Sequence, residues 1–220
     1  RMAKKKKQNL PAKKSNKTII YVGIAVVFIA ALAIYFTSNP PQKPLDIPQV
    51  TFQPEPGKVK VVEFMKFDCP HCYDLHQELP RILEKYGSNV TITYVPIIFP
   101  GQTTKSIEAY IIADQMGKGR EMQDALFNEA HTEMLNGKVI GNNLIVMESV
   151  PTLESVAARI ELGADFNAKL EGGVAKNAAL SNLALMNKYG VDSTPTLFVN
   201  GKQIGSTAAE LDASLSSLLG

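Results

Sequence analysis

Residues Val59 to His76 read VKVVEFMKFDCPHCYDLH, and both cysteines of the 220-residue chain fall inside this stretch, at Cys69 and Cys72. Pro70 and His71 separate them. The first six residues, Val59 to Phe64, are apolar at nearly every position, as expected of a strand covered on both faces. Beyond the cysteines, Leu75, Leu79, Ile82, Leu83 and Tyr86 recur at helical spacing up to Gly87, which fits a C-terminal cap. Pro80 inside that pattern predicts a kink. VTITYV, Val90 to Val95, is a second strand rich in β-branched residues. Strand, helix and strand in this order form a βαβ unit, which the right-handed crossover rule makes parallel.

Outward toward the C-terminus the pattern turns helical between residues 102 and 189, with helices expected over Thr104–Met116, Arg120–Leu135, Thr152–Leu162 and Asp165–Tyr189. The last is interrupted at Gly172-Gly173. β-structure then returns: Pro195 to Val199 runs into Asn200-Gly201, a strong two-residue hairpin signal, and Lys202 to Ile204 completes the pair. Thr207-Ala-Ala-Glu210 is a capping box opening a final helix with Leu211, Leu215, Leu218 and Leu219 on one face. Met116, Met122, Met134, Met147 and Met186 fall on the helical stretches, where such residues more often fill a core than line a groove.

Outward toward the N-terminus, residues 38–57 carry six prolines and read as a stiff linker with one short strand around Gln49 to Gln53. Ahead of it, residues 18–37 are free of charge, and about 20 such residues suffice for a transmembrane helix. Residues 1–17 form a basic tail of eight Lys and Arg with no acid. The whole chain has 23 bases and 21 acids, so the remainder carries 15 bases against 21 acids, a net charge of −6. The basic tail therefore reads as the cytoplasmic flank of an anchor, with everything after Thr37 facing periplasm or exterior, and not as a nucleic-acid site. A cleaved secretory signal with Ala31-Leu32-Ala33 as its cleavage site is the alternative, and it too exports the domain. Apolar residues at 45% and charged residues at 20% are ordinary for a globular chain with a real core.

Three chemistries suit two cysteines three positions apart. A structural staple is disfavoured, because loop-closure stabilisation grows with loop length and this loop is short. A zinc or copper site would need further ligands; only His71, His76 and His131 are on hand, and His71 lies inside the pair. A redox couple fits best. Pro70 suits the first helical turn, so Cys69 faces the unpaired N–H groups and positive end of a helix, which favour thiolate. His71 is expected to add stabilisation of the same sign. Cys69 is then the exposed nucleophile and Cys72, one turn inward, its buried partner.

The order βαβ, helical block, ββα, with CPHC after VVEF and TPTLFVNGK after the block, resembles the DsbA-type thiol:disulfide oxidoreductases. The likeness covers Val59 to Gly220. It implies an α/β thioredoxin-like fold over 58–220 with a helical insertion at 102–189, preceded by the single transmembrane helix. It implies catalytic roles for Cys69, Cys72, Pro70, His71 and Glu63, the last as a buried acid exchanging a proton with Cys72 through water. Thr194-Pro195 resembles the family's cis-proline loop, which pairs with substrate backbone; a threonine in place of the prototype's valine is a departure. Implied partners are exported cysteine-containing proteins and a quinone-linked membrane thiol oxidase, with the enzyme acting as a monomer and without cofactor, metal or nucleic acid. Alternatives are an isomerase or reductase of the same fold, or a non-catalytic metal-binding or chaperone module.

Overall fold

Val59–Met65 forms β1, the hub of the fold, because it can be apolar on both sides: six of its seven residues are buried. The computed structural model describes residues 17–38, 42–131 and 148–220, with side chains described from 21 to 34 in the first of these. The chain divides into two units, 1–41 and 42–220. In the first, α1 runs over Lys17–Ser38. Among the described residues no helix is long and apolar enough to cross a membrane. The basic tail up to residue 16 lies outside the described residues.

In the second unit, α2 (Pro70–Tyr86) follows β1 and leads through a short 3-10 turn to β2 (Val90–Pro96). The helical block comprises α3 (Lys105–Gln115), α4 (Gly119–His131), α5 (Val150–Arg159), α6 (Ala164–Glu171) and α7 (Lys176–Lys188). The hairpin β3 (Thr196–Val199) and β4 (Lys202–Gly205) and the helix α8 (Ala208–Leu219) close the domain. Sheet order is β2-β1-β3-β4, with β1 parallel to β2 and antiparallel to β3. Asn200 and Gly201 take φ of 48° and 81°, the left-handed pair that a tight two-residue hairpin requires.

Side chains alternate across β1, and this sorts the core. Val59 and Val61 face α2 and α8 through Leu75, Leu79, Ile82, Leu211 and Leu215. Val62 and Phe64 face the opposite layer, where Phe52, Val95, Ile97 and Phe198 gather beside residues of α7. Met65 joins the core of the helical block, as does Cys72. Glu63 therefore lies on the α2 side, between Val61 and Met65. The motif sits at the seam where the sheet meets the inserted helices.

Two expectations need correction. The strand around Gln49 to Gln53 does not form; the segment is held instead by the burial of Phe52 among aromatic rings. Nor is the described part of 38–57 a free spacer. Leu45 donates its N–H to Val174 O at 2.9 Å, and Phe52 stacks on Tyr189 at 4.1 Å between ring centroids. The interruption expected at Gly172-Gly173 does form: it separates α6 from α7, with Gly173 at φ 64° in the turn between them. Leu135, Met134 and Met147 lie outside the described residues, while Met122 is fully buried in the core.

Candidate active site

Cys69 is the N-cap of α2, at φ −89° and ψ 118°, and Pro70 opens the first turn. An N-cap normally supplies a side-chain oxygen to the free N–H groups of that turn; here a sulfur occupies the place. Its carbonyl accepts the N–H of Tyr73 at 3.0 Å, and its own N–H donates to Lys66 O at 3.3 Å, which ties down the turn before it. Both cysteines are free thiols.

The environment drives the two sulfurs apart. Cys69 is held down to about 5, first by the thiol of Cys72 donating to it, then by the Thr194 side chain and the backbone N–H groups of Cys72 and His71; partial burial opposes them. Cys72 is fully buried, and that burial, reinforced by Cys69, pushes its thiol far up. Its Sγ accepts the N–H of Lys66 at 3.5 Å. One sulfur is thus an accessible thiolate and the other a hidden thiol, the division a stepwise exchange needs.

Glu63 is 1% exposed, and its Oε2 has no hydrogen-bond partner among the described residues. Burial first, and then the Cys69 charge, push its carboxyl up to about 8. At neutral pH it is mostly the neutral acid and holds a proton close to the pair. Thr194-Pro195 is a cis peptide, and Thr194 O lies 3.2 Å from Cys69 Sγ. The strands β1 and β3, paired at Phe64–Thr196, bring this loop to the cysteines across 125 residues of sequence. Pro195 is buried and Thr194 half-buried.

His71 departs from expectation. Its imidazole is 83% exposed and turned toward Asp74, with Nδ1 at 3.9 Å from a carboxylate oxygen. What it brings to Cys69 is its backbone N–H. His76, next on α2, has Nε2 at 2.7 Å from Asp124 Oδ1 and stacks on Phe127. Among the described residues no group of three or more His, Cys, Asp or Glu could hold a metal ion. A cavity of about 1390 Å³ runs beside β2, lined in part by His76, Tyr94 and Arg120, but by neither cysteine. The sulfur chemistry is at the surface, open to a macromolecule.

His131, expected on a solvated helix face, is instead 2% exposed and contacts the loop that carries Cys69. The signal was available in the sequence. Met122, Leu126, Phe127 and Ala130 form the buried stripe of α4, and His131 continues it at helical spacing.

Comparison with known proteins agrees with this architecture. Residues 55–217 match the family described as Thioredoxin. The thiol:disulfide interchange protein DsbA of Burkholderia cepacia is 25% identical over 149 residues, 66% of this chain and 65% of that protein. Its counterpart in Pseudomonas syringae pv. tomato is 28% identical over 147 residues, covering 67% and 64%. The chain thus spans about 65% of the length of these two curated relatives. Among solved structures, oxidoreductase DsbA from Xylella fastidiosa superposes with a TM-score of 0.60 at 24% identity, covering 82% of this chain and 91% of that one. The E82I form of Pseudomonas aeruginosa DsbA gives 0.61 at 22% identity, covering 81% and 91%. At these identities the superpositions speak for the fold alone.

Proposed function

Because the chain belongs to the thioredoxin family, we propose that it is a thiol:disulfide oxidoreductase that donates a Cys69–Cys72 disulfide to exported proteins during oxidative folding. The observation that carries this reading is the split between an accessible Cys69, held down to about 5, and a buried Cys72 pushed far up. A substrate thiolate attacks Cys69 Sγ and the S–S bond breaks. Cys72 leaves as thiolate and takes a proton, for which protonated Glu63 is the nearby source through water. A second substrate thiolate then attacks the substrate sulfur of the mixed disulfide and expels Cys69 as thiolate. The substrate gains a disulfide, and the enzyme keeps two electrons as the dithiol. A quinone-linked membrane thiol oxidase is the class of partner that would remove them.

Substrate backbone pairs with the Thr194-Pro195 loop in this reading, supported by the loop's place beside Cys69. The domain works outside the cytoplasm, as a monomer, attached to the membrane through residues 18–37. Support for that attachment is the uncharged sequence and the basic tail before it. Recovery of the chain in the soluble fraction with 18–37 intact would remove it from the proposal.

Trapping tests the chemistry. Cys72→Ser should accumulate mixed disulfides with exported proteins, because Cys69 is captured and no internal thiol releases it. Cys69→Ser should trap none. Equal trapping by both variants would overturn the assignment of roles.

A further inference from the structure

We propose that His131 is a positioning residue for the nucleophile: its imidazole clamps the carbonyl of Phe67 and thereby fixes the turn that presents Cys69 at the start of α2. This rests on the redox reading above, and it deepens it. Nε2 of His131 lies 3.0 Å from Phe67 O, and because a carbonyl accepts and cannot donate, Nε2 carries the proton. The ring is stacked on Tyr73 at 4.7 Å and packed near Phe127 at 6.3 Å, which leaves it little freedom to turn. Tyr73 is itself bonded through its N–H to Cys69 O. His131 therefore holds the loop from both sides, by a hydrogen bond before the cysteine and by stacking after it.

The residues held are those on which the thiolate depends. Phe67 is two positions before Cys69, and the sulfur gains its stabilisation where the Cys72 thiol, the Thr194 side chain and the N–H groups of Cys72 and His71 converge on it. Misplacing Cys69 weakens all of these together, whereas the buried Cys72 has its own anchor in the Lys66 N–H. Burial pushes the His131 pKa down, against the Phe67 carbonyl and the charges of Asp68, Cys69 and Asp74, so the ring acts as a neutral donor. Its effect on Cys69 is one of geometry, not of charge.

The experiment compares wild type, His131→Leu and His131→Gln in the full chain. Gln places an amide N–H where the imidazole Nε2 stood; Leu fills volume and donates nothing. Thiolate absorbance of the reduced proteins against pH should show the Cys69 pKa raised by about one unit in the Leu variant, the equivalent of one lost hydrogen bond at an ionised site. Alkylation of Cys69 at pH 5 should slow severalfold in step. Gln should restore most of both. If Leu lowers the stability of both redox forms alike and leaves the Cys69 pKa at the wild-type value, the ring is packing only and the proposal fails. Should the Leu variant not fold, nitrogen NMR of the wild-type imidazole decides: a neutral ring protonated at Nε2 supports the clamp, and a proton on Nδ1 alone overturns it. The redox reading fails separately, if wild-type Cys69 shows no lowered pKa at all.

Discussion

At the scale of single residues, the site depends on which atoms face two chemically identical sulfurs. Thr194 is the instructive case: the sequence offers it as part of the substrate-pairing loop and as a departure from valine, and its side chain also helps to lower the Cys69 pKa. Thr194→Val keeps shape and removes the hydroxyl, so the Cys69 pKa should rise by about half to one unit, read by thiolate absorbance against pH. An unchanged pKa would leave the donors at the helix start as sufficient. Glu63 makes a prediction of another kind. Its folded pKa is raised to about 8 from 4.5, so its contribution to stability is fully present below about 4.5 and is lost as pH rises through 8. Glu63→Gln removes that loss, and its stability relative to wild type should improve steadily across the window. The same change takes away the proton that Cys72 needs, so disulfide release should slow about tenfold or more near pH 7. A variant both as fast and as pH-sensitive as wild type would mean that Glu63 is inert. His71 shows what spacing alone does not tell: a residue between the cysteines can act through its N–H while its ring faces solvent.

At the scale of elements, much was legible because local rules and tertiary packing agree. The βαβ unit, the Asn200-Gly201 hairpin and the Thr207–Glu210 capping box follow from period, turn chemistry and capping, and each forms where expected. Legibility failed where the deciding contact is distant in sequence. Phe52 is buried against Tyr189 and Phe198, partners more than a hundred residues away, so a proline-rich segment read as linker is docked. His131 likewise takes its role from Phe67, 64 residues earlier. The capping box provides a control for the site arguments. Thr207 Oγ1 accepts the Glu210 N–H at 3.3 Å, and Glu210 accepts the N–H of Thr207 at 3.0 Å. Thr207→Ala should cost about 1 kcal/mol, visible as a lower denaturant midpoint at unchanged slope. Because α8 meets the far end of α2, through Lys85 and Asp212 at 2.8 Å, the Cys69 pKa should not move. A shift there would show that the helix end is coupled to the site along α2.

At the scale of the whole molecule, the redox state of one pair should be readable in global stability. Cys69 in the folded dithiol has its pKa lowered from 9.0 to about 5. A lowered thiol contributes stability that is complete above the unfolded value and is lost as pH falls through the folded one, so the window is pH 9 down to 5. At pH 7, two units above the folded value, the contribution is at most about 2.7 kcal/mol. Solvent around a half-buried sulfur reduces this to roughly 1–2 kcal/mol. The disulfide form has no thiolate and gains none of it. Its cross-link constrains only a four-residue loop, a term that is small and independent of pH. Glu63 works partly the other way, because the Cys69 charge helps to raise it in the dithiol form; burial is the larger cause, though, and is common to both forms. Denaturant melts of both redox states between pH 5 and 8 should therefore show the dithiol gaining on the disulfide as pH rises, and exceeding it near neutrality. Such a protein gives its disulfide away downhill, since reduction releases folding free energy. A disulfide form that stays the more stable across the window would mark a reductase, with Cys69 lowered too little to drive transfer.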